Sequence, residues 1–102
     1  MLNLNNDNFE LETKEGNVIL DFWAEWCGPC RMLGPVFESL SEEMSDFKFA
    51  KINVDESQEL AGKFGVRSIP TVVFLRDGGE IDRFVGALPK DSLKLKIEEV
   101  FK

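Results

Sequence analysis

The sequence predicts an α/β fold, a mixed sheet with helices on both faces, and three observations carry that expectation. Residues 17 to 24, Asn-Val-Ile-Leu-Asp-Phe-Trp-Ala, form an almost unbroken β-prone run, as a central strand covered on both faces requires. Leu33, Phe37, Leu40 and Met44 then recur at spacings of four, three and four, which is one stripe of a helix. Further on, two β-prone runs joined by Asp77-Gly78-Gly79 read as an antiparallel hairpin.

Taken in order, the strand at 17 to 24 leads to a helix from Gly28 to about Met44, with Glu38, Glu42 and Glu43 on its polar side. Pro35 falls inside that helix, where it removes a backbone donor and crowds the carbonyl of Arg31, so a kink is expected. A strand at about Phe47 to Val54 follows. Asp55, with Gln58 three residues on, has the spacing of a cap for a short helix through Leu60 and Phe64, which Gly65 closes. Thr71 to Leu75 and Ile81 to Val85 are the hairpin strands. Pro89 to Lys102 holds a conflict, because Leu93-Lys94-Leu95-Lys96-Ile97 alternates like a strand while Leu93, Ile97, Val100 and Phe101 fit one helical face. Helix is the expectation, with Pro89 near its first turn and Leu95 outside the stripe. The first strand-helix-strand crossover should be right-handed. In open sheets of this kind the reactive site belongs at the carboxyl end of a strand, the place that Trp26-Cys27-Gly28-Pro29-Cys30 occupies.

Composition narrows the functions available. The 102 residues suit one domain, 1 to 102, with a core that needs no metal or disulfide staple. Nineteen acidic residues against twelve basic ones give a net charge of -7, which opposes approach to phosphate backbones and anionic lipid, so neither nucleic acid nor membrane is an expected partner. The absence of histidine excludes catalytic Cys-His and Ser-His pairs and most catalytic zinc sites. Met1 to Gly16 has no basic n-region, apolar h-region or small-residue cleavage site. The expectation is a soluble cytoplasmic protein, where a permanent disulfide is out of place and a working cysteine pair is not.

Cys27 and Cys30, three apart at the start of a helix, fall on one face with β-carbons about 5 to 6 Å apart, close to disulfide geometry. So short a loop constrains the unfolded chain by only about 2 kcal/mol, which makes stabilisation a poor reason for the bond and redox exchange a better one. Half a zinc site has the same spacing, but four ligands are needed and only a site shared between subunits would supply the rest. Cys27 sits at the partly exposed helix start, where free amides and the helix dipole favour a thiolate, and Cys30 lies a turn deeper. Cys27 is therefore the expected nucleophile and Cys30 the resolving thiol.

Asp21-Phe22-Trp23-Ala24-Glu25-Trp26-Cys27-Gly28-Pro29-Cys30 resembles the active-site segment of the thioredoxin family. The resemblance covers the whole chain, continuing in Ala50-Lys51-Ile52-Asn53-Val54-Asp55, Arg67-Ser68-Ile69-Pro70-Thr71 and Val85-Gly86-Ala87-Leu88. It implies a thioredoxin fold, α/β with a central mixed five-stranded sheet flanked by four helices. Gly-Pro between the cysteines looks like the reducing branch of the family. Three departures are mild: Arg31 stands where lysine is common, Gly79 lengthens the glycine turn, and the first helical region is short.

Asp21 is the odd residue of its strand, sharing a face with Ile19 and Trp23, so its carboxyl should meet apolar surroundings that raise its pKa. Pattern alone equally allows an aspartate bonded to nearby amides. The resemblance implies a proton acceptor for Cys30, acting through water. Lys51 follows Phe47 and Phe49 on one strand face; by pattern it is a solvated lysine, and the resemblance makes it the residue that tunes Asp21. Glu25 and Arg31 read as surface charges that affect encounter. The Ile69-Pro70 bond would be trans by general preference, whereas the resemblance implies cis, with backbone groups offered to a bound substrate segment. Trp26, Gly28, Pro29, Ile69, Pro70, Gly86 and Ala87 would then form a small apolar contact surface around Cys27.

These residues point to a protein-disulfide reductase that exchanges thiols and disulfides with target proteins and requires no bound cofactor, its redox group being the Cys27-Cys30 disulfide. The resemblance implies recharging by a thioredoxin reductase, to which the NADPH and FAD belong. A monomer is expected. An oxidase or isomerase would need a much more acidic Cys27, and Gly28-Pro29 and the missing histidine argue against it. A binding module without turnover would keep its partners in a Cys27→Ser, Cys30→Ser variant.

Overall fold

A computed structural model describes residues 1–102. Its elements in chain order are β1 (Leu2–Asn3), α1 (Phe9–Thr13), β2 (Asn17–Trp23), α2 (Gly28–Glu43), β3 (Lys48–Asn53), α3 (Gln58–Lys63), β4 (Thr71–Arg76), β5 (Gly79–Val85) and α4 (Lys90–Val100). The strands make one sheet in the order β1-β3-β2-β4-β5. β1 and β2 run parallel to β3, while β4 runs antiparallel to both β2 and β5. The mixed five-stranded sheet with four helices is thus present.

Alternation along β2 divides the core. Val18, Leu20 and Phe22 pack with Leu4, Phe9 and Leu60, from the β1–α1 segment and α3. Ile19 faces the other way and packs with Leu33, Phe37 and Leu40 of α2 and Leu93 and Ile97 of α4. Successive strand side chains point to opposite faces, so Asp21 and Trp23 share the α2 side with Ile19. β2 lies between β3 and β4, and residues 18 to 22 are fully buried, which is why their sequence reads as a continuous run.

The helical stripe of α2 is confirmed, with Leu33, Phe37 and Leu40 buried, and the helix continues from Gly28 to Glu43 through Pro35 without interruption. Val66 N–H bonds to the Ala61 carbonyl and Gly65 N–H to the Gly62 carbonyl, so Gly65 closes α3 in the pattern of a Schellman motif. The cap expected at Asp55 is not there, because α3 is entered through Ser57. The Asn53 Oδ1 instead accepts from the amides of Asp55 and Glu56. The hairpin turn is also tighter than expected: Asp77 and Gly78 both have positive φ, at 50° and 87°, the signature of a two-residue type I′ turn. Gly79 does not lengthen it but pairs with Arg76 as the first residue of β5. Pro89 precedes α4 as its N-cap, and Leu95 points to solvent.

β1 and α1 have no counterpart in the periodicity of the sequence. Two residues are too few to alternate, and α1 is held from outside itself. Asn5 and Asn8 exchange side-chain-to-backbone bonds before it, and Lys48 Nζ donates to the Glu12 carbonyl and carboxylate at its end.

Candidate active site

β2 delivers the chain to the N-terminus of α2, and Cys27 serves as the cap of that helix. Its Sγ accepts the amide of Cys30 at 3.2 Å, the bond a capping serine would make through oxygen. Pro29 in the first turn costs nothing, since the amide it lacks would have had no partner within the helix. Cys27 and Cys30 are joined as a disulfide with their Cα atoms 5.2 Å apart. When the bond opens, the charge on Cys27 meets the amide of Cys30 and the positive end of a sixteen-residue helix.

The expected difference in exposure between the cysteines is absent, since Cys27 is 4% exposed and Cys30 3%. Trp23, Val54 and Ile69 pack around the pair and Ala24. The Ile69 carbonyl oxygen lies 3.6 Å from Cys27 Sγ. Ile69-Pro70 is cis, against the general preference of X-Pro bonds and as the family resemblance implies. Gly86 N–H donates to the Pro70 carbonyl at 2.8 Å, with Gly86 at φ +105°, a conformation closed in practice to side-chain-bearing residues. Trp26, Gly28, Pro29 and Ala87 are exposed around this centre, Ile69 and Gly86 are partly covered, and Pro70 is buried.

Trp26 is the most prominent of them, 68% exposed, and its indole Nε1 donates to Asp55 Oδ2 at 2.9 Å. Asp55, read in sequence as a helix cap, is instead the group that fixes this ring. The two residues are 29 positions apart, and no periodicity or spacing connects them.

Asp21 is fully buried, and neither carboxyl oxygen has a hydrogen-bond partner, so the alternative of an aspartate held by neighbouring amides does not apply. Burial pushes its pKa up to about 7, with the Lys51 ammonium pulling in the opposite direction. Lys51 stands directly across from Asp21 in the β2–β3 ladder, and its Nζ sits 4.2 Å from the centre of the Trp23 ring. Trp23, Cys30, Arg31, Glu38 and Lys51 line one cleft of about 480 Å³, which connects Cys30 to Asp21's cross-strand neighbour. Glu25 and Arg31 are exposed, as expected of surface charges.

A sulfur pair that can open into a stabilised thiolate, at the carboxyl end of a central strand, defines a thiol-disulfide oxidoreductase. Known proteins agree with that class. A family model described as Thioredoxin matches residues 1–99. The thioredoxin of Bacillus subtilis (strain 168) is 54% identical over 88 residues, 85% of either chain. That of Chlorobaculum thiosulfatiphilum is 47% identical over 95 residues, 90% of this chain and 88% of its own. The M-type chloroplastic thioredoxin of Pisum sativum is 48% identical over 86 residues, 83% of this chain and 50% of its own. The chain belongs to the thioredoxin family, and its chemistry is thiol-disulfide exchange through Cys27 and Cys30.

Proposed function

We propose that the protein works in the reducing direction on disulfides of other proteins, as a monomeric single domain of the cytoplasm recharged by a thioredoxin reductase. The Cys27 thiolate attacks a target sulfur, giving a mixed disulfide and releasing the other target sulfur as a thiolate that takes up a proton. Cys30 then loses its proton with the help of Asp21, attacks Cys27 Sγ, and frees the second target thiol. Two electrons pass to the target and the Cys27-Cys30 disulfide is left behind. NADPH and FAD act in the reductase that reverses this.

The observation that carries the assignment is the unpartnered Asp21 carboxyl, which titrates near neutral pH beside the lysine that shares a cleft with Cys30. No helix is long and apolar enough to cross a membrane. Trp26, Gly28, Pro29, Ile69, Gly86 and Ala87 form the surface on which the target chain is held, over the buried Pro70, with the backbone at Ile69 offering strand-like bonds.

Titration of the cysteine couple against defined dithiol-disulfide buffers, followed by Trp23 and Trp26 fluorescence, tests the direction of transfer. A two-electron transition more reducing than the glutathione couple is expected. A transition close to that of the oxidising members of the superfamily would overturn the reductase reading. In a Cys30→Ser variant the mixed disulfide through Cys27 should accumulate and be isolable, whereas accumulation through position 30 in a Cys27→Ser variant alone would reverse the two roles.

A further inference from the structure

Arg83 makes the only side-chain hydrogen bond that joins β5 to the end of α3, and it does so at the root of the loop that carries Ile69 and Pro70. Its Nη2 donates to the Phe64 carbonyl at 2.8 Å and to Glu80 Oε1 at 2.7 Å, while Nε donates to Glu80 Oε2 at 2.5 Å. The planar guanidinium is thereby held by a two-point carboxylate contact, and one of its remaining protons is aimed at the last carbonyl of the helix. Arg83 pairs with Val73, whose side chain belongs to the α1–α3 side of the sheet, so the strand register directs Arg83 at α3.

From Phe64 the chain runs through Gly65 to Pro70 with few other anchors. Val66 N–H reaches back to the Ala61 carbonyl, Thr71 Oγ1 donates to the Ser68 carbonyl, and Gly86 N–H holds the Pro70 carbonyl. The first and last of the loop's ties to β5 and its extension are Arg83 and Gly86, three residues apart on the same strand end. β5 therefore holds both margins of the strip that faces Cys27.

We infer that Arg83 is a positioning residue for protein substrates: through Phe64 it fixes the 65–70 loop so that the Ile69 backbone is presented to a target chain beside Cys27. It touches neither sulfur nor target. Loosening it leaves the cysteine chemistry alone and raises the entropy that the loop loses when a polypeptide docks. A small disulfide that needs only Cys27 would be indifferent to it. The inference rests on the proposed use of Ile69-Pro70 as a docking strip.

The experiment compares Arg83→Ala, Arg83→Lys, Glu80→Gln and Pro70→Ala with the parent chain in steady-state reduction of a folded protein disulfide and of a small aromatic disulfide, alongside amide exchange at residues 65–69. Arg83→Ala should raise KM for the protein disulfide roughly threefold to tenfold with kcat kept, leave the small disulfide unchanged, and speed exchange in the loop. Arg83→Lys, which retains one donor for the Phe64 carbonyl, should recover part of the KM, and Glu80→Gln should lie between it and the parent. Unchanged loop exchange and KM in Arg83→Ala, with a raised KM in Pro70→Ala, would overturn the inference alone. An unchanged protein KM in Pro70→Ala as well would overturn the docking strip and the inference with it. Equal losses on both substrates in Arg83→Ala would show a merely structural residue and would also overturn it.

Discussion

Asp21 sits in the sheet with both oxygens buried and unpartnered, so the folded protein resists its ionisation. Between pH 3.8, the ordinary value, and about 7, the folded chain keeps a proton that the unfolded chain has released. Stability therefore falls as pH rises across that window and is level above it. Three pH units at roughly 1.36 kcal/mol each put the loss at about 4 kcal/mol. Asp21→Asn should thus be more stable than the parent by about that amount in urea unfolding at pH 8, with the gain shrinking toward zero near pH 4. The same substitution should slow release of the target by Cys30 and remove the inflection near pH 7 from that step. Lys51→Met takes away the charge that lowers the Asp21 pKa, so the inflection should move to higher pH in stopped-flow measurements of mixed-disulfide resolution. An unmoved inflection would detach Lys51 from Asp21. Cys27, Cys30 and Asp21 were legible in sequence because each breaks a local expectation, two by spacing and one by being a charge in an apolar run. Asp55 and Arg83 were not, since each acts on a residue brought near only by folding.

The helices differ in how plainly their packing was written. Phe37 lies on the α2 stripe and is fully buried, in edge-on contact with Phe49 at 5.1 Å between ring centres. Phe37→Ala should cost about 3 to 5 kcal/mol in denaturant unfolding. Leu95 of α4 is 66% exposed, and Leu95→Ala should stay within about 0.5 kcal/mol of the parent. Comparable losses at the two positions would mean that the stripe had been misread. The conflict between strand and helix in this segment is settled by Leu93 and Ile97, both fully buried one turn apart, while the alternation that Leu95 adds faces water. β1 and α1 escape sequence reading for the opposite reason, having too few residues for any period. Their places depend on pairing with β3 and on the Lys48 contact to Glu12. The early end of α3 is similar, because the choice between Asp55 and Ser57 as its entry turns on Asn53 claiming two amides and on Trp26 claiming the Asp55 carboxylate.

At the scale of the molecule, the chain carries a net charge of -7. Encounter with a basic target protein should slow as salt rises from 20 to about 300 mM, and encounter with an acidic one should quicken, while the small-disulfide rate stays level. Salt effects of equal sign on all three would place the limiting step after encounter. The fold as a whole was readable because its central strand, its long helix and its hairpin each carry strong local signals that agree. The orientation of the chain ends was not. Met1 lines the cleft beside Cys30 and Lys51. Phe101 packs on Phe47 and Phe74 and under Arg76, which pairs with Asn17 at the start of β2, about 20 Å along the strand from Trp23. For attachment to a bead, an electrode or a fusion partner the two sites are therefore unequal: a graft at Met1 stands at the cleft that Cys30 lines, and one at Lys102 lies toward the far end of the sheet.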